Sequence, residues 1–178
     1  MLLRLFPVGD VKVEINRLGN LLIGRFTHFS KLKVEKPLNI PESAYVAERR
    51  QHDAGSILDL LSGISRPGEK ILGITGVDLC VRGSNLNFVF GLAHCPGRAA
   101  VVSVFRLNPE LYGQKNGDLF FERVVKECVH ELGHTFGLGH CRFPLCVMNF
   151  SNSIIDVDRK RDDFCESCRR FLSAGEGI

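Results

Sequence analysis

The chain has 178 residues and a formal net charge of +3 at neutral pH, and 24% of its residues are charged. So mild a charge gives no reason to expect a nucleic-acid or membrane-surface partner. No apolar run approaches the roughly 18 residues that a membrane-spanning helix needs, and the N-terminus lacks the features of a secretion signal. We therefore expect a cytoplasmic protein that is monomeric and forms a single domain.

Short apolar runs bounded by glycine, proline or asparagine predict strands. In chain order these are residues 2–6, 31–34, 45–47, 70–75, 87–92 and 99–105. Apolar residues at helical spacing predict helices over 11–26, 54–61, 119–136 and 165–172. For the longest of these, Asp118 is the expected N-cap and Gly137 the C-terminal stop. Strands mixed with helices, followed by an irregular C-terminal region, predict an α+β or α/β fold.

The run HELGHTFGLGH, residues 130–140, carries the strongest chemical signal. His130 and His134 are four residues apart, so a helix projects both from one face, where they can bind one zinc ion. Gly137 permits a sharp exit from the helix with a positive φ, and that turn can return His140 as a third ligand. Three protein ligands leave a fourth position open to water, as in catalytic zinc sites.

Glu131 follows the first histidine, where it can take a proton from the zinc-bound water and pass it to a leaving amine. The bare HExxH pattern also occurs by chance in helices, where the histidines merely cap surface turns. The added Gly137 and His140, at the offsets found in metzincin peptidases, favour the metal site.

Four of the seven cysteines lie late in the chain, at Cys141, Cys146, Cys165 and Cys168. Two thiol pairs separated by a loop predict a closed zinc site with four cysteine ligands, which would be structural and would pin the C-terminal segment. Four reduced buried cysteines, or two disulfides, are the alternatives. The polar surroundings of the last two cysteines favour zinc.

Together these motifs resemble the archaemetzincins, a family of metzincin zinc peptidases. The resemblance rests on HELGHTFGLGHC, on the triplet Cys-Val-Met at 146–148 and on CESC, within residues 130–168. It implies that Met148 lies in the Met-turn, beneath the zinc-binding histidines. It implies two zinc ions per chain and the following assignments: His130, His134 and His140 bind the catalytic zinc, Glu131 is the base, and Cys141, Cys146, Cys165 and Cys168 bind the structural zinc.

The resemblance also implies a metzincin-like α+β fold. We expect a twisted mixed sheet with an active-site HExxH helix in residues 1–137, and the Met-turn and a zinc-pinned, four-cysteine C-terminal subdomain in residues 138–178. In metzincins an edge strand above the cleft binds substrate. Here that strand is expected to comprise Asn87, Phe88, Val89, Phe90, Gly91, Leu92 and Ala93.

The sequence therefore predicts a zinc metallopeptidase that acts on peptides or unfolded polypeptides, with no nucleic-acid or membrane partner. It does not separate endopeptidase from aminopeptidase. A zinc-stabilised peptide-binding protein with little hydrolytic activity is the main alternative, and a zinc-storage protein is another. Retention of Glu131 favours the enzyme, since a purely structural site has no use for that carboxylate.

Other polar residues receive simpler interpretations. His94 and Cys95 are expected to line a turn rather than to bind metal. Cys80 and Cys128 are expected to pack in the core. The basic run at residues 159–161 is expected to be a solvated loop. Neither tyrosine can be placed from the sequence.

Overall fold

The computed structural model describes residues 1–174, and within this range the chain forms eight strands. They are β1 (Leu2–Val8), β2 (Lys31–Val34), β3 (Tyr45–Val46), β4 (Gln51–Asp53), β5 (Glu69–Thr75), β6 (Leu79–Cys80), β7 (Gly91–Ala93) and β8 (Ala99–Ser103). Five of them form a sheet in the order β2-β1-β5-β8-β7, in which only β7 is antiparallel to its neighbour. A second, smaller sheet has the order β3-β4-β6. The mixed α+β architecture predicted from the sequence is confirmed.

The first helices connect strands, and the later ones are the main regular elements of the C-terminal part. They are α1 (Ile15–Arg25), α2 (Ala54–Gly63), α3 (Gly117–Thr135), α4 (Ile154–Arg159) and α5 (Glu166–Ala174). Short 3-10 turns occupy Glu42–Ala44 and Pro109–Tyr112. No helix among residues 1–174 combines the length and apolar character needed to cross a bilayer.

Both faces of the five-stranded sheet are buried, because successive side chains along a strand point to opposite faces. On β1, Leu3 and Leu5 join the cluster that contains α1, α3 and the C-terminal part, whereas Phe6 and Val8 join the cluster around α2. The central strands β5 and β8 are buried at every residue, as is typical of parallel strands covered on both sides. The sheet therefore forms a rigid support for α3.

The predicted elements differ from the observed ones mainly at their ends. The long helix is capped by the Asn116 side chain, which accepts from the Leu119 N–H at 3.0 Å. The expected cap, Asp118, instead lies in the first turn, where a carboxylate suits the positive end of the helix dipole. The first helix begins at Ile15 rather than at residue 11, and α4 and the short strands β4 and β6 were not predicted.

The predicted strand over residues 87–92 is wrong for its first half. Only Gly91–Ala93 forms β7. The backbone before it is held by other partners: the Val89 N–H donates to Leu79 O at 3.0 Å, and Asn87 O accepts from the Gln51 amide at 3.0 Å. These bonds hold residues 87–90 away from the ladder with β8, except that Phe90 O still accepts from Ser103 N–H at 2.8 Å.

Candidate active site and second metal site

One face of α3 carries four polar side chains at intervals of three and four residues. Glu127, His130, Glu131 and His134 line a single cleft, together with His140 from the segment after the helix. Residues at this spacing share one face of a helix. From Arg123 onward the other faces of α3 are also buried, so this row is held toward the cleft.

Backbone carbonyls orient the first two histidines. His130 Nδ1 lies 2.8 Å from Val147 O, and His134 Nδ1 lies 2.7 Å from Leu138 O. Because a carbonyl oxygen only accepts, each Nδ1 carries the ring proton and donates it, which leaves a lone pair on each Nε2. The two Nε2 atoms lie 3.0 Å apart. Two lone pairs facing each other at this distance form a place for a cation.

The turn after α3 brings in the third histidine. Gly137 has a φ of +92°, and its N–H donates to His134 O at 2.8 Å while the Leu138 N–H donates to Gly133 O at 3.2 Å. These are the two bonds of a Schellman motif, which ends a helix at a residue with positive φ. The chain then reverses direction and brings His140 to the first two histidines. One ring nitrogen from each of the three lies within 4.8 Å of the other two.

The donor set fits zinc. Nitrogen ligands held tetrahedrally at about 2.0–2.1 Å lie roughly 3.3 Å from one another, close to the 3.0 Å between the two Nε2 atoms. Burial lowers the pKa of His130, His134 and His140, and the Lys160 ammonium lowers the pKa of each further. All three imidazoles are therefore neutral at neutral pH, the state in which they bind a metal.

Glu131 lies beneath the edge strand β7. A methyl group at Gly91 would come within 2.6 Å of Glu131 Cγ and 2.7 Å of its Oε1, and also within 2.7 Å of Val101 O. The absence of a side chain at Gly91 thus makes room for the carboxylate. Glu131 is only 5% exposed; burial raises its pKa well above the ordinary value, and the nearby charge of Glu127 acts in the same direction.

A buried ion pair lies next to these groups. Lys160 Nζ is 2.8 Å from Glu127 Oε1, and it lies 3.4 Å from both Asn149 O and His130 Nδ1. The prediction that the basic run at residues 159–161 is solvated is wrong for Lys160, which is 1% exposed. The sequence does not indicate that Lys160 is buried, because its partner, Glu127, is distant in sequence.

Met148, the expected Met-turn residue, packs against α3 at Gly133, next to His134. It is fully buried, and a Cβ on Gly133 would come within 2.5 Å of its Sδ. The neighbouring Val147 O orients His130, and Met148 O accepts from Cys141 N–H at 2.8 Å. The segment thus connects the histidine cluster to the cysteine cluster.

The four late cysteines come together beside this segment. Cys141 Sγ lies 3.7 Å from Cys165 Sγ, and Cys146 Sγ lies 3.8 Å from Cys168 Sγ. The four sulfur atoms all lie within 4.8 Å of one another, and every cysteine is a free thiol. A disulfide would require about 2.05 Å, whereas thiolates bound tetrahedrally to zinc at about 2.3 Å lie roughly 3.8 Å apart. The spacing matches the metal site.

The thiols differ in how readily they ionise, because burial raises the pKa of Cys146 and of Cys168. Burial opposes ionisation of Cys165, but hydrogen bonds from the Cys168 backbone and from neighbouring thiols lower its pKa to about 7. The Cys165 N–H donates to Cys146 Sγ at 3.3 Å, and the Phe143 N–H donates to Cys141 Sγ at 3.4 Å. Such bonds stabilise thiolates.

β7 is the outer strand of its sheet, with β8 on one side and no described strand on the other. Phe90 O accepts from Ser103 N–H and His94 N–H donates to Ala99 O, so these two residues direct their backbone groups toward β8. Backbone groups on an antiparallel strand alternate in direction, so Leu92 does the same. Gly91 and Ala93 therefore turn their N–H and C=O groups toward the free edge. Of the seven residues predicted to bind substrate, all but Asn87 line the cleft.

Several cleft residues carried no sequence signal. Leu86 and Phe150 line it, but isolated apolar residues in irregular segments predict nothing specific. Cys95 also lines it and donates to Leu138 O at 3.5 Å, whereas His94 does not line it. Tyr112 donates its hydroxyl to Arg106 O at 2.9 Å, and neither tyrosine lines the cleft.

Comparison with known proteins identifies the family. Residues 27–174 match the profile of peptidase family M54. The archaemetzincin of Methanopyrus kandleri is 50% identical over 149 residues, which cover 82% of this chain and 79% of that protein.

Solved structures agree with this assignment. The crystal structure of the Methanopyrus kandleri archaemetzincin superposes with a TM-score of 0.85 at 40% identity, covering 99% of this chain and 96% of that one. A zinc-dependent peptidase from Methanocorpusculum labreanum gives a TM-score of 0.83 at 32% identity, covering 96% of this chain and 99% of that one. The chain therefore belongs to peptidase family M54, the archaemetzincins.

Proposed function

We propose that this chain is a zinc-dependent peptidase in which His130, His134 and His140 hold the catalytic zinc and Glu131 is the general base. The observation that carries this proposal is the pair of Nε2 lone pairs 3.0 Å apart, with both Nδ1 protons committed to carbonyls. A zinc ion bound there would polarise a substrate carbonyl and acidify water near neutral pH.

Glu131 would move the proton. Its carboxylate would accept a proton from the attacking water and deliver it to the departing amide nitrogen. Burial raises its pKa, and a base whose pKa is raised toward neutrality can both take and return a proton under working conditions. The position of Glu131 beneath Gly91 supports this role, because a peptide added to the free edge of β7 would lie next to it.

The edge strand would align the substrate. Gly91 and Ala93 offer backbone donors and acceptors to an extended peptide, as in strand addition. A peptide held in this way is a natural substrate for the adjacent histidines and Glu131. We include the expected residues Phe88 to Ala93 in this proposed binding surface, and we leave out Asn87, whose carbonyl is used by Gln51 and Arg49.

Cys141, Cys146, Cys165 and Cys168 would hold a second, structural zinc. Four protein ligands leave no open position for substrate or water. This ion would join the segment around Met148 to α5. We also propose that residues 1–178 act as one catalytic domain, because a single apolar cluster extends from Leu3 on β1 to Leu172 on α5.

The alternative, a peptide-binding protein without hydrolysis, keeps the same ligands. Against it stands Glu131, since burying an ionisable carboxyl carries a free-energy penalty that binding alone does not require. Storage of zinc is disfavoured for the histidine site, which supplies only three protein ligands.

The test is Glu131→Gln, which keeps the shape of the side chain but removes the base. We expect peptide hydrolysis by the zinc-loaded protein to fall by about 10²–10⁴-fold, while zinc content by elemental analysis stays unchanged. Glu122→Gln, on the same helix but exposed, should retain full turnover. A wild-type protein that carries zinc yet cleaves no member of a peptide library would support the binding-protein alternative. Full turnover by Glu131→Gln would exclude the assigned base.

A further inference from the structure

Residues 81–90, which we term the roof segment, form much of one wall of the cleft. Most of the segment lies outside regular strands and helices. Its contribution to the cleft consists of Val81, Ser84, Leu86, Phe88, Val89 and Phe90, none of which is charged. Leu86 is 37% exposed. Phe150, at 45% exposure, lines the same cleft beside His140.

The half-buried carboxylate of Asp78 holds this segment on the side away from the cleft. Asp78 accepts two hydrogen bonds from Arg106, Nε to Oδ1 and Nη2 to Oδ2, both at 2.7 Å. The Arg106 guanidinium lies over the Phe88 ring, 4.2 Å from its centroid. Because a bidentate pair fixes the plane of the guanidinium, Asp78 indirectly fixes the position of Phe88.

Two further side chains hold the backbone of the segment, and one of them, Gln51, also bonds to the Asp78 carboxylate. The Gln51 amide donates to Asp78 Oδ2 and to Asn87 O, both at 3.0 Å. Arg49 donates to Leu86 O at 2.8 Å and to Asn87 O at 2.6 Å. An irregular segment would otherwise sample many conformations. These bonds hold it in one, with Leu86 and Phe88 at the cleft.

We propose that the roof segment, positioned by Asp78 through Arg106, selects a peptide that places a large apolar side chain next to the histidine cluster. This inference rests on the proposed peptidase function and names the substrate class of that site. Among residues 1–174, the only acidic side chains that line the cleft, Glu127 and Glu131, are buried, and no lysine or arginine of that range lines it. A charged substrate side chain placed against the roof segment would lose hydration there without gaining a partner of opposite charge from that segment. A leucine or phenylalanine side chain would instead bury apolar area against Leu86, Phe88 and Phe150.

The test compares ligands that share a zinc-binding group but differ in whether they extend beyond the metal to contact the roof segment. Acetohydroxamate contacts only the metal, whereas a peptidyl hydroxamate also extends over the roof segment. We expect the zinc-loaded wild type to bind a leucyl- or phenylalanyl-containing hydroxamate at least tenfold more tightly than acetohydroxamate or the aspartyl-containing analogue, measured by calorimetry. Phe88→Ala and Asp78→Asn should each weaken the apolar ligand on the order of tenfold and leave acetohydroxamate unchanged.

Asp158→Asn is the matched control. Asp158 forms the same bidentate pair with Arg123, both contacts at 2.7 Å, but away from the roof segment. It should alter neither affinity. Phe88 is only partly buried, so Phe88→Ala keeps the test open if Asp78→Asn does not fold. A preference for the aspartyl ligand, or unchanged affinities in both variants, would overturn the proposal. Failure of wild-type protein to bind acetohydroxamate would overturn the proposed zinc site first, and the selection proposal with it.

Discussion

Gly133 shows how closely the zinc-binding helix approaches the segment below it. Glycine in a helix interior usually weakens the helix by about 1 kcal/mol relative to alanine. Here a Cβ would lie 2.5 Å from Met148 Sδ and 3.3 Å from Phe164 Cε1. Glycine at this position lowers the helical propensity of α3 but lets the helix contact Met148.

Gly133→Ala should therefore destabilise the protein, by about 1–3 kcal/mol as for other overpacked cores. Gly24→Ala, in α1 with nothing within 4 Å of its added Cβ, should instead be neutral or stabilising by up to about 1 kcal/mol. Urea unfolding of both variants measures the difference. In a Met148→Ala background the effect of Gly133→Ala should shrink, and equal effects in both backgrounds would show that Met148 is not the obstacle.

His130 should make the metal-free protein sensitive to mild acid. Burial lowers its pKa, so below about pH 6.5 an unfolded chain takes up a proton that the folded chain excludes. The free energy of unfolding should therefore fall as the pH falls from about 7.0 to about 5.5. Glu131 acts in the opposite direction, because its raised pKa lets the folded chain bind more protons than the unfolded chain.

His130→Gln isolates the histidine. Compared with wild type in the presence of a chelator, it should lose about 1 kcal/mol less stability between about pH 7.0 and about pH 5.5. The measurement is the urea midpoint at each pH. An identical or steeper loss in the variant would show that His130 does not exclude the proton.

At the scale of elements, the C-terminal segment depends on the cysteine cluster. Between Thr135 and Ala174 the chain has only two short helices, α4 and α5, and short helices are marginal without tertiary support. Structural zinc supplies on the order of 10 kcal/mol or more in small zinc modules. Such a term is comparable to the whole stability of a domain.

The double variant Cys165→Ser/Cys168→Ser should accordingly unfold at a much lower temperature, or lose its cooperative transition. His140→Gln should mainly reduce metal occupancy at the histidine site. Cys95→Ser removes an exposed thiol and should melt like wild type. If calorimetry gives the double variant a wild-type transition, these cysteines do not hold a structural ion.

The elements also show what a sequence can reveal. The histidine and cysteine clusters were predictable because their spacings are local: four residues along one helix, or two thiols three residues apart. Asp78 and Arg106 belong to no motif, and their pairing depends on how β5, β6 and β8 place residues 28 positions apart in sequence. Residues 87–90 of the roof segment were predicted to begin a strand because Phe88, Val89 and Phe90 have strand-like composition, yet side-chain bonds to the Leu86 and Asn87 carbonyls override that propensity.

For the whole molecule, two metal sites of different construction predict two zinc ions of unequal lability. The histidine site opens into the cleft, where a chelator can reach the proposed ion. The proposed cysteine site would be saturated by four thiolates. Mild chelation should remove one zinc per chain and leave the fold intact. Elemental analysis measures the zinc that remains, and circular dichroism reports the fold. Fewer than two zinc ions before treatment, or loss of both together with the fold, would contradict this prediction.

The order of the ligands along the chain also governs when a working site can exist. A ribosome makes His130, His134 and His140 before Cys165 and Cys168, which share their proposed ion with Cys141 and Cys146. Until the last of these cysteines has emerged, the proposed cysteine site is incomplete, and the backbone that supplies Val147 O to His130 lacks that anchor. A nascent chain therefore carries its histidines before the cysteine cluster can support them. It gains the capacity to cut other polypeptides only after Cys168 has been synthesised.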